Sequence, residues 1–171
     1  MILYLLGLPG SGKSTIGKEL SQKLGLSLVD TDQEIENAER KGIDEIFAEK
    51  GEAYFREIEQ KVLVKFSNVQ NTIVSTGGGT PCFFDNMDII NKTGISLFLN
   101  VPIPVITKRL RAHSNQHRPL LQGKDKKQLE DFLIGKLNER ISFYNKATFV
   151  FSEENITADK IIEKLKNEDI L

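Results

Sequence analysis

The chain has 171 residues, 39% of them hydrophobic, enough for one compact domain with a sizeable core and too few for a second full domain. Its 23 basic and 24 acidic residues leave a net charge of -1, so no global field draws it to nucleic acid or to an anionic membrane. A single cysteine, Cys82, excludes an internal disulfide, suits a reducing compartment, and reads as a small residue packed near a loop.

The N-terminal "MILYLLGLPG" carries a short apolar run with no basic residue before it, so residues 2–7 read as a buried strand rather than a signal peptide. "GLPGSGKS", Gly7 to Ser14, then fits the Gly-x4-Gly-Lys-Ser/Thr pattern between that strand and a helix. The helix is expected to begin near Lys13, because Ile16, Leu20 and Leu24 repeat every four residues and Gly25 stops it. Such a loop turns its N–H groups toward phosphates at a helix N-terminus, Lys13 neutralises their charge, and the Ser14 hydroxyl can ligate Mg²⁺. The chain is therefore expected to bind a nucleoside triphosphate.

A second strand, 27–30, ends in "VDTD". Ligands of open α/β sheets collect beyond the carboxyl ends of the strands, so Asp30 and Asp32 should face the same crevice as the phosphate loop. Either could instead cap the following helix. Beside a Mg-nucleotide, one carboxylate can orient the waters of the metal while the other accepts a hydrogen bond from an acceptor hydroxyl. From Glu52 to Phe66 the residues Phe55, Ile58, Val62 and Phe66 form one helical stripe. Arg56 and Glu59, three apart on that helix, form either a solvated ion pair or part of an anion clamp. The chain has six arginines, and Arg56, Arg118 and Arg140 fall where the crevice should be, suited to bidentate recognition of carboxylate or phosphate. Phe47 and Phe55 are most simply core residues, though they could wall a small polar substrate.

Strand 72–75 runs into "STGGGT", where bare backbone can approach a ligand closely. "GISLFLNV" gives a strand at 95–101 with both faces buried. "AHSNQHRPLLQGKDKK" is polar and aperiodic, a place for a mobile lid. Its His113 and His117 read as solvated, since two such residues do not make a zinc site. A helix follows from about Lys126 to Tyr144 with Leu129, Leu133, Leu137 and Ile141 at spacing four. A strand at 148–151 and a helix from Thr157 that buries Ile161, Ile162 and Leu165 close the chain. Strands alternating with helices predict a parallel sheet covered on both faces. The Asn-x-Thr patterns at Asn91 and Asn155 are treated as chance.

"GLPGSGKST", "VDTDQEIE", "FREIE", "STGGGT", "RPLL" and "NERISFY", in this order and spacing, resemble the shikimate kinase family, small P-loop proteins similar to nucleoside monophosphate kinases. The resemblance spans nearly the whole chain, and the ordered set is specific where most single motifs are not. It implies an α/β, three-layer α/β/α P-loop NTPase fold with a central five-stranded parallel sheet, a helical substrate-binding segment and a mobile lid. One domain is expected, with its core at 1–30, 72–111 and 146–171, the substrate-binding segment at 31–71 and the lid at 112–125.

The same resemblance implies an ATP-dependent kinase with Mg²⁺ that phosphorylates the 3-hydroxyl of shikimate, in chorismate and aromatic amino-acid biosynthesis. Gly10, Ser11, Gly12, Lys13, Ser14 and Thr15 would hold ATP, with Arg111 stacked on adenine and Arg118 closing over the phosphates. Ser14 and Asp30 would serve the metal, and Ser75 would lie near its water shell. Asp32 would bind the ring hydroxyls, Arg56 and Arg140 the carboxylate, and Gly77, Gly78 and Gly79 would bring backbone N–H groups to the substrate, Gly79 most directly. Phe47 and Phe55 match apolar walls, Glu59 a residue that orients Arg56, and Lys13, Asp32 and Arg118 the catalytic set. Two positions depart from the pattern: "NI" at Asn155 and Ile156, where relatives often have "NP", and Thr80, where alanine is frequent. A cytoplasmic monomer that acts on two small molecules, without nucleic acid or membrane, is expected. Gluconate kinase or a nucleoside monophosphate kinase would share the loop and lid, and a non-catalytic nucleotide-binding module is the more distant alternative.

Overall fold

The structure, a computed structural model, describes residues 1–112 and 124–171. Arg118, His113, His117 and most of the expected lid lie outside the described residues. The described residues form five parallel strands in the order β2-β3-β1-β4-β5: β1 (Ile2–Leu6), β2 (Ser27–Asp30), β3 (Thr72–Ser75), β4 (Ile95–Leu99) and β5 (Phe149–Phe151). β1 lies between β3 and β4, and each of its five residues is buried, which is why its sequence is an unbroken apolar run rather than an alternating one. It ends one residue short of the expected 2–7 because Gly7 turns away at φ 146° to begin the loop. β4 likewise stops at Leu99 rather than 101.

Seven α-helices among the described residues complete the three layers: α1 (Lys13–Leu24), α2 (Thr31–Glu39), α3 (Ile43–Phe66), α4 (Asn86–Thr93), α5 (Ile103–Ala112), α6 (Lys126–Tyr144) and α7 (Ala158–Asn167). α1 starts and stops where expected, with Gly25 in the left-handed conformation at its C-terminus. Asp125 caps α6 through a reciprocal box, its carboxylate accepting from Gln128 N at 2.8 Å while Gln128 Oε1 accepts from Asp125 N at 2.9 Å. Thr157 caps α7, whose Ile161 and Leu165 are buried and whose Ile162 is half-buried.

Two features of the segment 31–71 go beyond the expectation. α2 is a separate helix, and α3 begins at Ile43, nine residues before the apolar stripe read from sequence. Gly51, at φ 79° and ψ 173°, breaks α3 into two pieces, and only a residue without Cβ adopts that conformation cheaply. The second piece carries the expected stripe, with Phe55, Ile58, Val62 and Phe66 all buried. No helix among the described residues is long and apolar enough to cross a membrane.

Candidate active site

The loop between β1 and α1 is shaped by Gly10 at φ 84° and Gly12 at φ 98°, conformations that free the N-terminal amides of α1 toward one concavity. Lys13 Nζ donates to the Gly7 and Leu8 carbonyls at 2.8 and 3.1 Å, which holds its ammonium within that loop. Ser11 is buried, and its Oγ has no hydrogen-bond partner within the protein. Ser14 and Thr15 face outward on the first turn of α1.

At the carboxyl end of the sheet, Asp30 pairs in register with Ser75. Asp30 both caps α2 and faces the phosphate loop. One oxygen caps α2, accepting from Asp32 N at 3.1 Å and Gln33 N at 3.4 Å, while the other accepts from Ser14 Oγ at 3.4 Å. Ser14, Asp30, Asp32, Glu36 and Ser75 line a cavity of about 390 Å³. A second depression of about 430 Å³ lies over β5 and α7, but none of the expected site residues lines it. Burial, and then the neighbouring carboxylates of Asp30 and Glu59, push the Asp32 carboxyl up from 3.8 to about 6, against the lowering influence of Lys13.

The three glycines after β3 explain themselves by what crowds them. None has a positive φ. A Cβ at Gly77 would lie 2.6 Å from Asp32 Oδ1 and 2.8 Å from Glu59 Oε1. At Gly78 it would come within 3.0 Å of Arg140 Nη1, and at Gly79 within 2.7 Å of Arg56 Nη1. Side chains from α2, α3 and α6 therefore converge on one stretch of bare backbone. Gly77 N donates to Thr31 Oγ1 at 2.9 Å, and the fully buried Tyr144 donates its hydroxyl to Gly78 O at 2.5 Å, which registers α6 against the loop.

Arg56 and Glu59 are not a solvated pair. Arg56 Nη1 donates to Glu59 Oε2 at 2.8 Å with Glu59 only 1% exposed, and Nη2 donates to Glu52 at 3.0 Å. The guanidinium lies 4.0 Å from the Phe83 ring centroid, 5.1 Å from Phe55 and 6.0 Å from Phe47. Phe83 was missed from sequence, although an aromatic residue just past three glycines was a usable signal. Thr80 is fully buried and donates to Glu59 Oε1 at 2.6 Å. Nearby Cys82 is half-buried, and burial pushes its thiol up to about 11, consistent with an inert packing residue.

On the nucleotide side, Arg111 is exposed at the end of α5. Arg109, which sequence reasoning passed over, donates to Ser11 O at 3.2 Å and to Glu154 O at 3.3 Å, tying the phosphate loop to the segment before Ile156. Ile156 itself is buried in the core. Arg118 lies outside the described residues.

With this geometry, comparison with known proteins gives a consistent result. The family model described as shikimate kinase matches residues 9–169. The shikimate kinase of Azobacteroides pseudotrichonymphae is 44% identical over 95% of this chain and 96% of its own. A crystal structure of shikimate kinase from Bacteroides thetaiotaomicron superposes with a TM-score of 0.93 at 39% identity, covering 100% of this chain and 99% of that one. Shikimate kinase from Acinetobacter baumannii in complex with shikimate superposes at 0.88 with 30% identity, covering 99% and 95%.

Proposed function

Because the chain belongs to the shikimate kinase family, we propose that it transfers the γ-phosphoryl group of ATP to the 3-hydroxyl of shikimate, giving shikimate 3-phosphate and ADP. The observation that carries this reading is the convergence of Asp32, Arg56 and Arg140 on Gly77, Gly78 and Gly79. Two guanidinium groups and one carboxylate around bare backbone suit a small carboxylated polyol better than a nucleotide acceptor.

Phosphoryl transfer asks for alignment and charge compensation more than covalent help. Arg56 and Arg140 take the carboxylate, with Glu59 orienting Arg56 and the Phe47 and Phe55 rings walling the pocket. Asp32 holds the acceptor hydroxyl, and with its carboxyl at about 6 it is mostly ionised at neutral pH and still basic enough to take the proton. Gly10 to Thr15 and Lys13 receive the phosphates, Arg111 meets the adenine, and Arg118 closes over the transferring group. Ser14 and Asp30 fit Mg²⁺, since the Ser14 hydroxyl already faces the Asp30 oxygen that is not engaged in capping. Bound there, the metal would neutralise phosphate charge. The segment 31–71 binds substrate, 112–125 forms the lid, and the enzyme works as a cytoplasmic monomer in aromatic amino-acid biosynthesis.

The test is ADP release with MgATP and shikimate, against gluconate, AMP and no acceptor. Turnover confined to shikimate is expected. Turnover with another acceptor alone would overturn the substrate pocket, and none with any would overturn catalysis.

A further inference from the structure

Thr80 is one of the two departures from the family pattern, and its fully buried side chain reaches the Glu59 carboxylate of the proposed clamp. Among the described residues, two hydrogen bonds reach the Glu59 carboxylate: Arg56 Nη1 to Oε2 at 2.8 Å, and Thr80 Oγ1 to Oε1 at 2.6 Å. Both are charge-assisted, and with Glu59 1% exposed, solvent offers no replacement for either. Thr80 is itself held from two sides. Its N–H donates to Gly77 O at 3.1 Å, and its carbonyl accepts from Nδ2 of the fully buried Asn86, at the start of α4, at 2.8 Å.

A continuous path thus runs from α4 through the 3₁₀ turn at Thr80–Cys82 to Glu59 on α3 and on to Arg56. Without the hydroxyl, Glu59 would keep one bonded oxygen and could rotate, and the plane of Arg56 against Phe83 would be left to its bonds with the exposed Glu52. We infer that Thr80 is a positioning residue for substrate-carboxylate recognition, acting through Glu59 on Arg56. This rests on the kinase reading above and adds to it a residue that sets affinity for the acceptor.

The experiment compares wild type, Thr80→Val and Thr80→Ser by steady-state kinetics with MgATP and shikimate, alongside thermal unfolding. Removing a hydrogen bond to a buried charge should raise the shikimate KM of Thr80→Val about tenfold, with kcat within about twofold. The ATP KM should not move, and Thr80→Ser should restore the wild-type shikimate KM. A purely structural role would lower the melting temperature without separating the two KM values. If Thr80→Val does not fold, Thr80→Ala carries the same expectation against Thr80→Ser. An unchanged shikimate KM in the hydroxyl-less variant, or an ATP KM that rises in step, would overturn the role of Thr80 alone. Wild-type protein with no shikimate turnover would overturn the kinase reading and this inference with it.

Discussion

At Asp32, burial beside Asp30 and Glu59 sets the proposed catalytic role against stability. The native carboxyl titrates near 6 against an ordinary 3.8, so between those pH values the native state binds more protons than the unfolded chain. Stability contributed at this residue therefore falls as pH rises from about 4 to about 6, and above that the cost is complete at about 3 kcal/mol. Asp32→Asn should raise the melting temperature at pH 8, lose that advantage near pH 4, and lower kcat by about a hundredfold or more while ATP binding persists. Unchanged turnover would remove Asp32 from the chemistry. The wild-type kcat/KM for shikimate should itself decline about tenfold per pH unit below about 6, as the carboxylate of the free enzyme protonates. Arg140→Ala should raise the shikimate KM by about a hundredfold and leave the ATP KM almost unchanged, the loss expected for one arm of a bidentate carboxylate clamp. Equal rises would remove Arg140 from that clamp.

These charged residues were legible because arginine is scarce in a lysine-rich chain and because acidic residues past a strand end have few roles to choose from. Phe83, Arg109 and Tyr144 were not. What each does depends on the group opposite it: the Arg56 guanidinium, the Ser11 carbonyl and the Gly78 carbonyl, all distant in sequence.

At the scale of elements, the loop after β3 shows why composition alone misleads about glycine. Positive φ is the usual reason for a glycine after a strand, yet Gly77, Gly78 and Gly79 are needed for space. The group nearest Gly79 is the Arg56 guanidinium, held by Glu59 and Glu52, so Gly79→Ala should displace it and raise the shikimate KM about tenfold or more, measured in the same ADP-release assay. A large fall in melting temperature with an unchanged KM would contradict that account. Gly51 is the opposite case. Its left-handed φ of 79° meets open space, so Gly51→Ala should cost about 1–2 kcal/mol in urea unfolding from backbone strain alone. The break at Gly51 escaped the sequence because the piece before it is two turns long, too short for periodicity to distinguish from a loop.

For the whole molecule, the central strand carries the greatest packing load. Leu5 is fully buried on β1 between β3 and β4, and Leu5→Ala should cost about 2–5 kcal/mol in denaturant unfolding. The same strand delivers the phosphate loop, so a relaxed core there should weaken ATP binding as well as stability.

Local physics carried the sequence a long way: unbroken apolar runs marked strands buried on both faces, four-residue spacing marked α1, α6 and the second half of α3, and the glycine-lysine loop marked the phosphate end of the site. Each of these signals is complete within some twenty residues, which is why it survives in the sequence. The proposed substrate end is assembled from α2, α3, α6 and the loop after β3, brought together only by the strand order β2-β3-β1-β4-β5. That Gly78 meets Arg140 and Glu59 meets Thr80 was decided by tertiary packing, because a charged side chain written in sequence does not state which buried partner will offset the cost of its desolvation.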